Sequence, residues 1–470
     1  LVGSEMCIRD SYNILNLKPL LHIDLDMITK GLYVEGYAAL DFHFDNGKSL
    51  NQPYDLYYYD KATNEYQNKR ADTGKISVNS WSSNYKTITL NARIGYSHTF
   101  AEAHKVDAFV AYEQSKYDYN TLSAYRTNYL STAIPEIFAG SSVPEDKDNG
   151  GYSDATARCN FFGRINYNYK ERYLLEANLR YDGSSRFIGD KRWGLFPSFS
   201  VGWNISREEF FKPLSNIIGT LKLRGSWGQL GNNETEAWYP FFQSMPTGTT
   251  NSGWLINGVR QNTAGLPGIV SSVLTWETVE SWNVGVDFGL FDNRLTGSFD
   301  YYQRYTYDMV GPAPTLPGIL GASAPKINNA DMKSYGWEME LSWRDRIEDF
   351  NYGVRFTLAD GQRKVLKYPN ESGDIYSWYN NKLDGTIWGY TTVGIAQTQE
   401  EMNAHLANNK PNWGSNWGAG DIMYADLNGD GEVTSGSKTL NDHGDLKVIG
   451  NSYARYNFGF TVDGSWRGLD

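Results

Sequence analysis

The sequence predicts an all-β fold: a large antiparallel, up-and-down transmembrane β-barrel with long extracellular loops at one end and short periplasmic turns at the other. Three observations predict it. Apolar positions alternate with small, polar or charged ones in run after run. The runs cover about 9–12 residues, where soluble strands average about 5–6. Tight and long connections alternate between them.

Successive side chains of a strand point to opposite faces, so each run has one greasy and one polar side. Ile88, Leu90, Ala92, Ile94 and Tyr96 oppose Thr87, Thr89, Asn91, Arg93 and Gly95. Tyr173, Leu175, Ala177 and Leu179 oppose Arg172, Glu176, Asn178 and Arg180, with Leu174 interrupting the polar side. Trp282, Val284, Val286, Phe288 and Leu290 oppose Asn283, Gly285, Asp287 and Gly289. Leu295, Gly297, Phe299 and Tyr301 follow, opposite Thr296, Ser298, Asp300 and Tyr302. Trp337, Met339, Leu341 and Trp343 oppose Glu338, Glu340, Ser342 and Arg344. Tyr352, Val354, Phe356 and Leu358 oppose Gly353, Arg355, Thr357 and Ala359. Tyr456, Phe458, Phe460 and Val462 oppose Asn457, Gly459, Thr461 and Asp463.

A tilted strand crosses a bilayer in about 9–11 residues. A dry core does not accept mid-strand charge without partners. The charges at Glu176, Arg180, Asp287, Glu338, Glu340 and Arg355 are therefore expected to face a wet lumen, with hydrocarbon on the other side. A soluble sandwich or propeller shows the same alternation. The connections separate the two: residues 168–172, 291–294 and 345–349 are tight, whereas 122–156, 228–274, 310–329 and 361–451 are long and polar. The long ones are rich in Gly, Asn, Trp, Tyr and Pro, which suits stacking and hydrogen bonding to sugars or peptides.

Composition fits this reading. Mean hydropathy is −0.54 over 470 residues, and no apolar run reaches the length of a spanning helix. Barrel strands are apolar at only half their positions, so the low value excludes no barrel. Aromatics make up 15% of the chain, with 34 Tyr and 15 Trp, the excess that interfacial girdles produce. Net charge is −11, which argues against nucleic-acid binding. Residues 1–11 (LVGSEMCIRDS) show no strand or helix pattern and resemble a translated sequencing adapter, so residues 12–470 are taken as the protein proper. That leaves Cys159 as the native cysteine, a small passive side chain without a disulfide or CxxC framework. No signal peptide opens the sequence, and an exported protein is expected to have one upstream.

Several runs resemble the SusC/RagA family of TonB-dependent outer-membrane transporters of Bacteroidetes-type bacteria. Residues 274–309, LTWETVESWNVGVDFGLFDNRLTGSFDYYQRYTYDM, look like that family's most recognisable hairpin, through Trp276-Glu277, Asn283-Val284-Gly285, Asp287, Asn293-Arg294, Asp300-Tyr301-Tyr302, Thr306 and Met309. Gly336-Trp337-Glu338, 223–232 (LRGSWGQLGN), 178–187 (NLRYDGSSRF) and 421–431 (DIMYADLNGDG) resemble further family elements in the family's order. The resemblance implies an importer of oligosaccharides or peptides in the bacterial outer membrane. It implies a SusD-like surface lipoprotein over the loops, and TonB acting on a plug. Such barrels close at about 22 strands; the pattern here yields about 13–14. The sequence is thus expected to be part of a barrel, with plug, N-terminal extension and closing strands outside it.

Sites are few. Asp426, Asn428, Asp430 and Glu432 read as the first half of a calcium loop, oxygens at alternate positions around a Gly turn. Its twelfth position is Ser437, so the bidentate Glu is missing, and Asp442 and Asp445 are the candidates to replace it. A metal-free Asn/Asp/Gly turn gives the same pattern. No cofactor is required otherwise. His22, His43, His98, His104, His405 and His443 form no HExxH, and no GxSxG, Walker or GxGxxG motif occurs. An enzyme is not expected. The lumenal charges would contact a plug or substrate, or be simply solvated. A second reading, a soluble secreted carbohydrate-binding or adhesion protein, differs in one testable way: its greasy faces would lie beneath another layer of protein.

Overall fold

The computed structural model describes residues 7–70, 74–235, 237–249, 255–313, 317, 319 and 324–469. Among the described residues, fourteen strands belong to the main sheet. They are β1 Cys7–Leu17, β2 Leu20–Asp24, β3 Leu32–Asn51, β4 Ser77–Phe100, β5 His104–Thr127, β6 Lys147–Tyr169, β7 Tyr173–Ser184, β8 Trp193–Asn204, β9 Ile218–Asn232, β10 Glu277–Leu290, β11 Leu295–Gly311, β12 Ile327–Ile347, β13 Phe350–Lys367 and β14 Tyr456–Trp466. The chain forms two compact units. One is Leu1–Tyr96 with Phe109–Gly163 and Asp182–Arg186; the other is Ser97–Ala108 with Arg164–Tyr181 and Phe187–Asp470.

In the first unit the order is β1-β3-β4-β5-β6, and β2 also lies on β3. β1 pairs with residues 40–50 and β2 with residues 33–37 of β3, so the two make one interrupted strand. Pro19 sits at the break because it has no N–H for the ladder. Pairing begins at Cys7 opposite Leu50, ahead of the position where the alternation becomes readable. In the second unit β7 to β14 follow one another in sequence order, an antiparallel meander.

The faces are arranged as hydrocarbon contact requires. Val284 is 58% exposed, Phe458 76% and Val462 64%. Leu341 and Phe356 are half-buried. Along β7, the apolar Tyr173, Leu175 and Leu179 are exposed while Glu176, Asn178 and Arg180 between them are the more sheltered. This inverts a soluble sheet, and among the described residues no second layer lies over Val284, Leu341 or Phe356.

Two expectations need correction. The strands are longer than the alternation shows: β4 and β5 have 24 residues each and β12 has 21. Residues 122–127, 147–156, 228–232, 327–329 and 361–367, expected as loop, are strand. These stretches are polar on both faces, so no period marks them. Once the register is set, further backbone pairs form without new loop closure. Parts of two expected loops (236, 250–254, 314–316, 318, 320–323) and residues 1–6 lie outside the described residues.

The second correction is the stretch between β13 and β14, which is a folded cap rather than irregular loop. Strands Thr386–Tyr390 and Leu446–Asn451 pair, as do Thr392–Ile395 and Ile422–Tyr424. Helix α1, Gln399–Leu406, starts at Thr398, whose hydroxyl accepts from the Glu401 N–H. Glu401 in turn accepts from the Gln397 N–H, a near relative of the capping box. The helix buries Met402 against Ala396 and Met423, with Leu406 and Trp417 beside them. The opposite ends of the hairpins are tight. Lys170 and Glu171, Asp292 and Asn293, and Ala101 and Glu102 all have positive φ, as two-residue hairpin turns demand.

Candidate functional site

The polar face of the second unit carries the charge. Arg224 of β9 lies opposite Gly285 of β10, and Gly285 lies opposite Asp300 of β11. The guanidinium reaches across the glycine. Its Nε and Nη2 donate to Asp287 at 3.0 Å, while Nη1 and Nη2 donate to Asp300 at 2.7 and 2.6 Å. A Cβ at position 285 would stand 2.7 Å from Asp300 Oδ1 and 2.8 Å from Arg224 Cζ, so the fork fits because residue 285 is Gly.

Further along the same face, Glu340 and Arg355 pair at 2.6 Å. Glu338 lies opposite Asp300 on the neighbouring strand. On β7, Asn178 donates to Glu176 at 2.9 Å and accepts from Arg164 at 2.6 Å. Arg180 shares that face by the alternation. An open hollow of about 500 Å³ is lined by Glu176, Lys222, Arg224, Asn283, Leu174 and Val201, among others. Of the six residues expected to face a lumen, Asp287 pairs with Arg224, Glu340 with Arg355, and Glu176 lies 3.8 Å from Arg164. The sequence reading missed Arg224 and Asp300 as a cluster, although both lay inside runs it had singled out.

The rim holds a small core around the motif residue Trp276. Phe187, Phe196, Leu274 and Trp276 are buried together. The Trp276 indole donates to the Arg192 carbonyl at 3.0 Å. Glu277 accepts from the Val310 N–H at 3.0 Å and from Asn232 at 2.8 Å. Sequence similarity had marked Trp276-Glu277 without saying what the pair does; it ties the rims of β9, β10 and β11.

In the cap, Lys382 is buried and donates to the carbonyls of Ile375, Tyr376 and Ser377 at 2.9, 3.3 and 2.7 Å. Burial draws its ammonium below the usual lysine value. Asp445 is fully buried and accepts from the N–H groups of Leu427 and Thr434 at 2.6 and 2.7 Å. Lys382 was not foreseen, because nothing local marks it; Asp445, expected as a possible substitute ligand of the calcium loop, here accepts backbone N–H groups. In the expected calcium loop, Asp426 accepts from the Gly429 and Gly431 N–H groups at 2.6 and 2.7 Å. Asn428 accepts from the Asp430 N–H, and Asp430 from the Glu432 N–H, at 2.9 Å each. These backbone bonds, with Gly431 first, hold the Asp426 carboxyl below the usual range. The hydroxyl and N–H of Ser437 do the same for Asp442. Among the described residues no three His, Cys, Asp or Glu side chains converge as a metal-ligand group.

A family model described as "TonB dependent receptor-like, beta-barrel" matches residues 30–468. TonB-dependent receptor P39 of Formosa agariphila is 28% identical over 463 residues, covering 90% of this chain and 41% of that protein. TonB-dependent receptor SusC of Bacteroides thetaiotaomicron is 28% identical over 334 residues, covering 68% of this chain and 32% of that protein. A solved structure titled "Structure of the RagAB peptide transporter" superposes with a TM-score of 0.75 at 19% identity, over 98% of this chain and 47% of that one. At that identity the match shows the fold. The chain spans about two-fifths or less of the length of these curated relatives.

Proposed function

Because the chain belongs to the family of TonB-dependent receptor β-barrels, of the SusC/RagA type found in the outer membrane, we propose that it is the barrel part of an energy-coupled importer for oligosaccharides or peptides. A SusD-like lipoprotein would close over the extracellular loops, and TonB would act through a plug held in the lumen. The barrel contributes no bond chemistry. It supplies a wall whose backbone groups pair between strands, as lipid demands.

One observation carries this reading: the apolar faces stand open while mid-strand charges are paired on the opposite face. The peptide alternative draws support from the fold shared with the RagAB peptide transporter, and the oligosaccharide alternative from the aromatic surfaces. The test is uptake by the full-length receptor. In a host lacking TonB, uptake of its nutrient should stop. Import that continues without TonB would overturn the transporter reading.

Calcium on Asp426, Asn428, Asp430 and Glu432 is part of the same proposal, as a staple for the cap. Each carboxylate oxygen that accepts an N–H keeps a second lone pair, which is what an ion there would use. Calorimetric titration of the full-length receptor with calcium should give saturable heat; a flat titration would remove the ion.

A further inference from the structure

The first unit carries a row of rings that the transport reading leaves unused. Tyr12 of β1, His43 of β3, Tyr85 of β4, Tyr119 of β5 and Tyr152 of β6 follow one another across the strands, edge to face except for the tilted Tyr85–Tyr119 pair. Ring centroids are 5.8 Å apart for Tyr12 and His43, and 6.5 Å for His43 and Tyr85. They are 4.7 Å apart for Tyr85 and Tyr119, and 5.3 Å for Tyr119 and Tyr152. Tyr12 Oη and His43 Nδ1 are hydrogen-bonded at 2.8 Å. Five strands each contribute one ring, so the row crosses four strand spacings, about 19 Å at about 4.8 Å each.

Its face decides its meaning. His43 lies opposite Tyr85 in register, and the same positions of β3 and β4 place Glu35 opposite Arg93 and Asp41 opposite Thr87. The row is therefore on the polar face. Ile88, Leu90 and Ile94 occupy the other face and are exposed there. Interfacial girdles point toward lipid; these rings point the other way. Tyr12 and Tyr152, at the ends, are 62% and 61% exposed, and His43, Tyr85 and Tyr119 between them are half-buried.

We propose that this row is a binding track for a neutral oligosaccharide, on which the CH faces of successive pyranose rings stack while the phenol and imidazole edges hydrogen-bond to hydroxyls. The proposal rests on the transporter reading and names its cargo class and contact residues. Asp45 lies opposite Tyr12, and Asp154 follows two residues after Tyr152 on the same face, whereas Lys86 and Lys116 fall on the other. That field repels anionic sugars. A peptide bound by strand addition needs a free edge, and β3, β4 and β5, which carry the middle of the row, are paired on both sides.

The test uses the purified full-length receptor in detergent and three probes. These are a panel of neutral hexasaccharides (malto-, cello-, xylo-, manno- and laminari-), oligogalacturonate, and a tryptic digest of casein. At least one neutral hexasaccharide should bind. The double variant Tyr85→Ala/Tyr119→Ala should weaken it by about tenfold or more, and Tyr85→Phe/Tyr119→Phe should recover most of the loss. Heat-modifiable gel mobility confirms that each variant is folded. Unchanged affinity in the folded alanine variant would overturn the proposal. So would binding of the casein digest or oligogalacturonate alone, or of no probe. TonB-dependent uptake by the wild type, measured in parallel, shows whether such a failure touches the transporter reading.

Discussion

Arg224 shows at the residue scale how a charged wall is held without a dry core. One guanidinium neutralises Asp287 and Asp300 through a forked contact that Gly285 makes room for. All three groups are partly open to water, so the pairing is worth much less than a buried one. Replacing Arg224 by Met leaves two carboxylates facing each other across the glycine. We expect Arg224→Met to cost the intact receptor about 1–2 kcal/mol, read from urea unfolding in liposomes. No change in the midpoint would mean that solvent already screens the cluster. The alternation placed Asp287 on the polar face from sequence. It could not pair the residue with Arg224, 63 positions away, because only register across strands does that.

At the element scale, the hairpins obey the sequence and the cap does not. The β10–β11 hairpin was legible because its period of two is imposed by the backbone. Val284 sits on its open face, and Val284→Arg should destabilise the intact receptor by about 2–4 kcal/mol if it lies near the bilayer midplane. Lipid-reconstituted unfolding with no penalty would mean that water, not hydrocarbon, covers that face. The cap was read as loop because Met402, Met423 and Ala396 lie on separate segments with no shared period. Its carboxyls make an acid prediction. Asp426 and Asp442 are held below their ordinary value of 3.8. The folded cap therefore binds protons less readily than the unfolded one. The stability these groups supply is complete above that value and is lost as pH falls below it. Tryptophan fluorescence from Trp413 and Trp417 should shift below about pH 4 while strand circular dichroism persists. A signal flat down to about pH 2 would show that those hydrogen bonds do not hold the cap.

For the whole molecule, the outward apolar faces set the solvent. Phe458, Phe460 and Val462 of β14 are 76%, 66% and 64% exposed, and similar rows recur on the other strands. Moved from detergent into plain buffer, the chain should aggregate at once, as exposed patches of this extent do. A monodisperse monomer with a cooperative melt, seen by light scattering and calorimetry, would contradict the membrane reading. The family's motif order made the large meander legible. The far halves of β4 and β5 were not, because both of their faces are polar and no period marks pairing that continues in water.

The sequence alone determined which side of each ribbon is greasy, that the ribbons run up and down, and where the tight turns lie. Those follow from a two-residue repeat fixed by covalent geometry, which any local window can read. Only the tertiary structure decided which charges neutralise which, how the cap closes over Met402, and that five rings between residues 12 and 152 meet in one row. Each depends on the register between strands far apart in the chain, and no local pattern encodes a register.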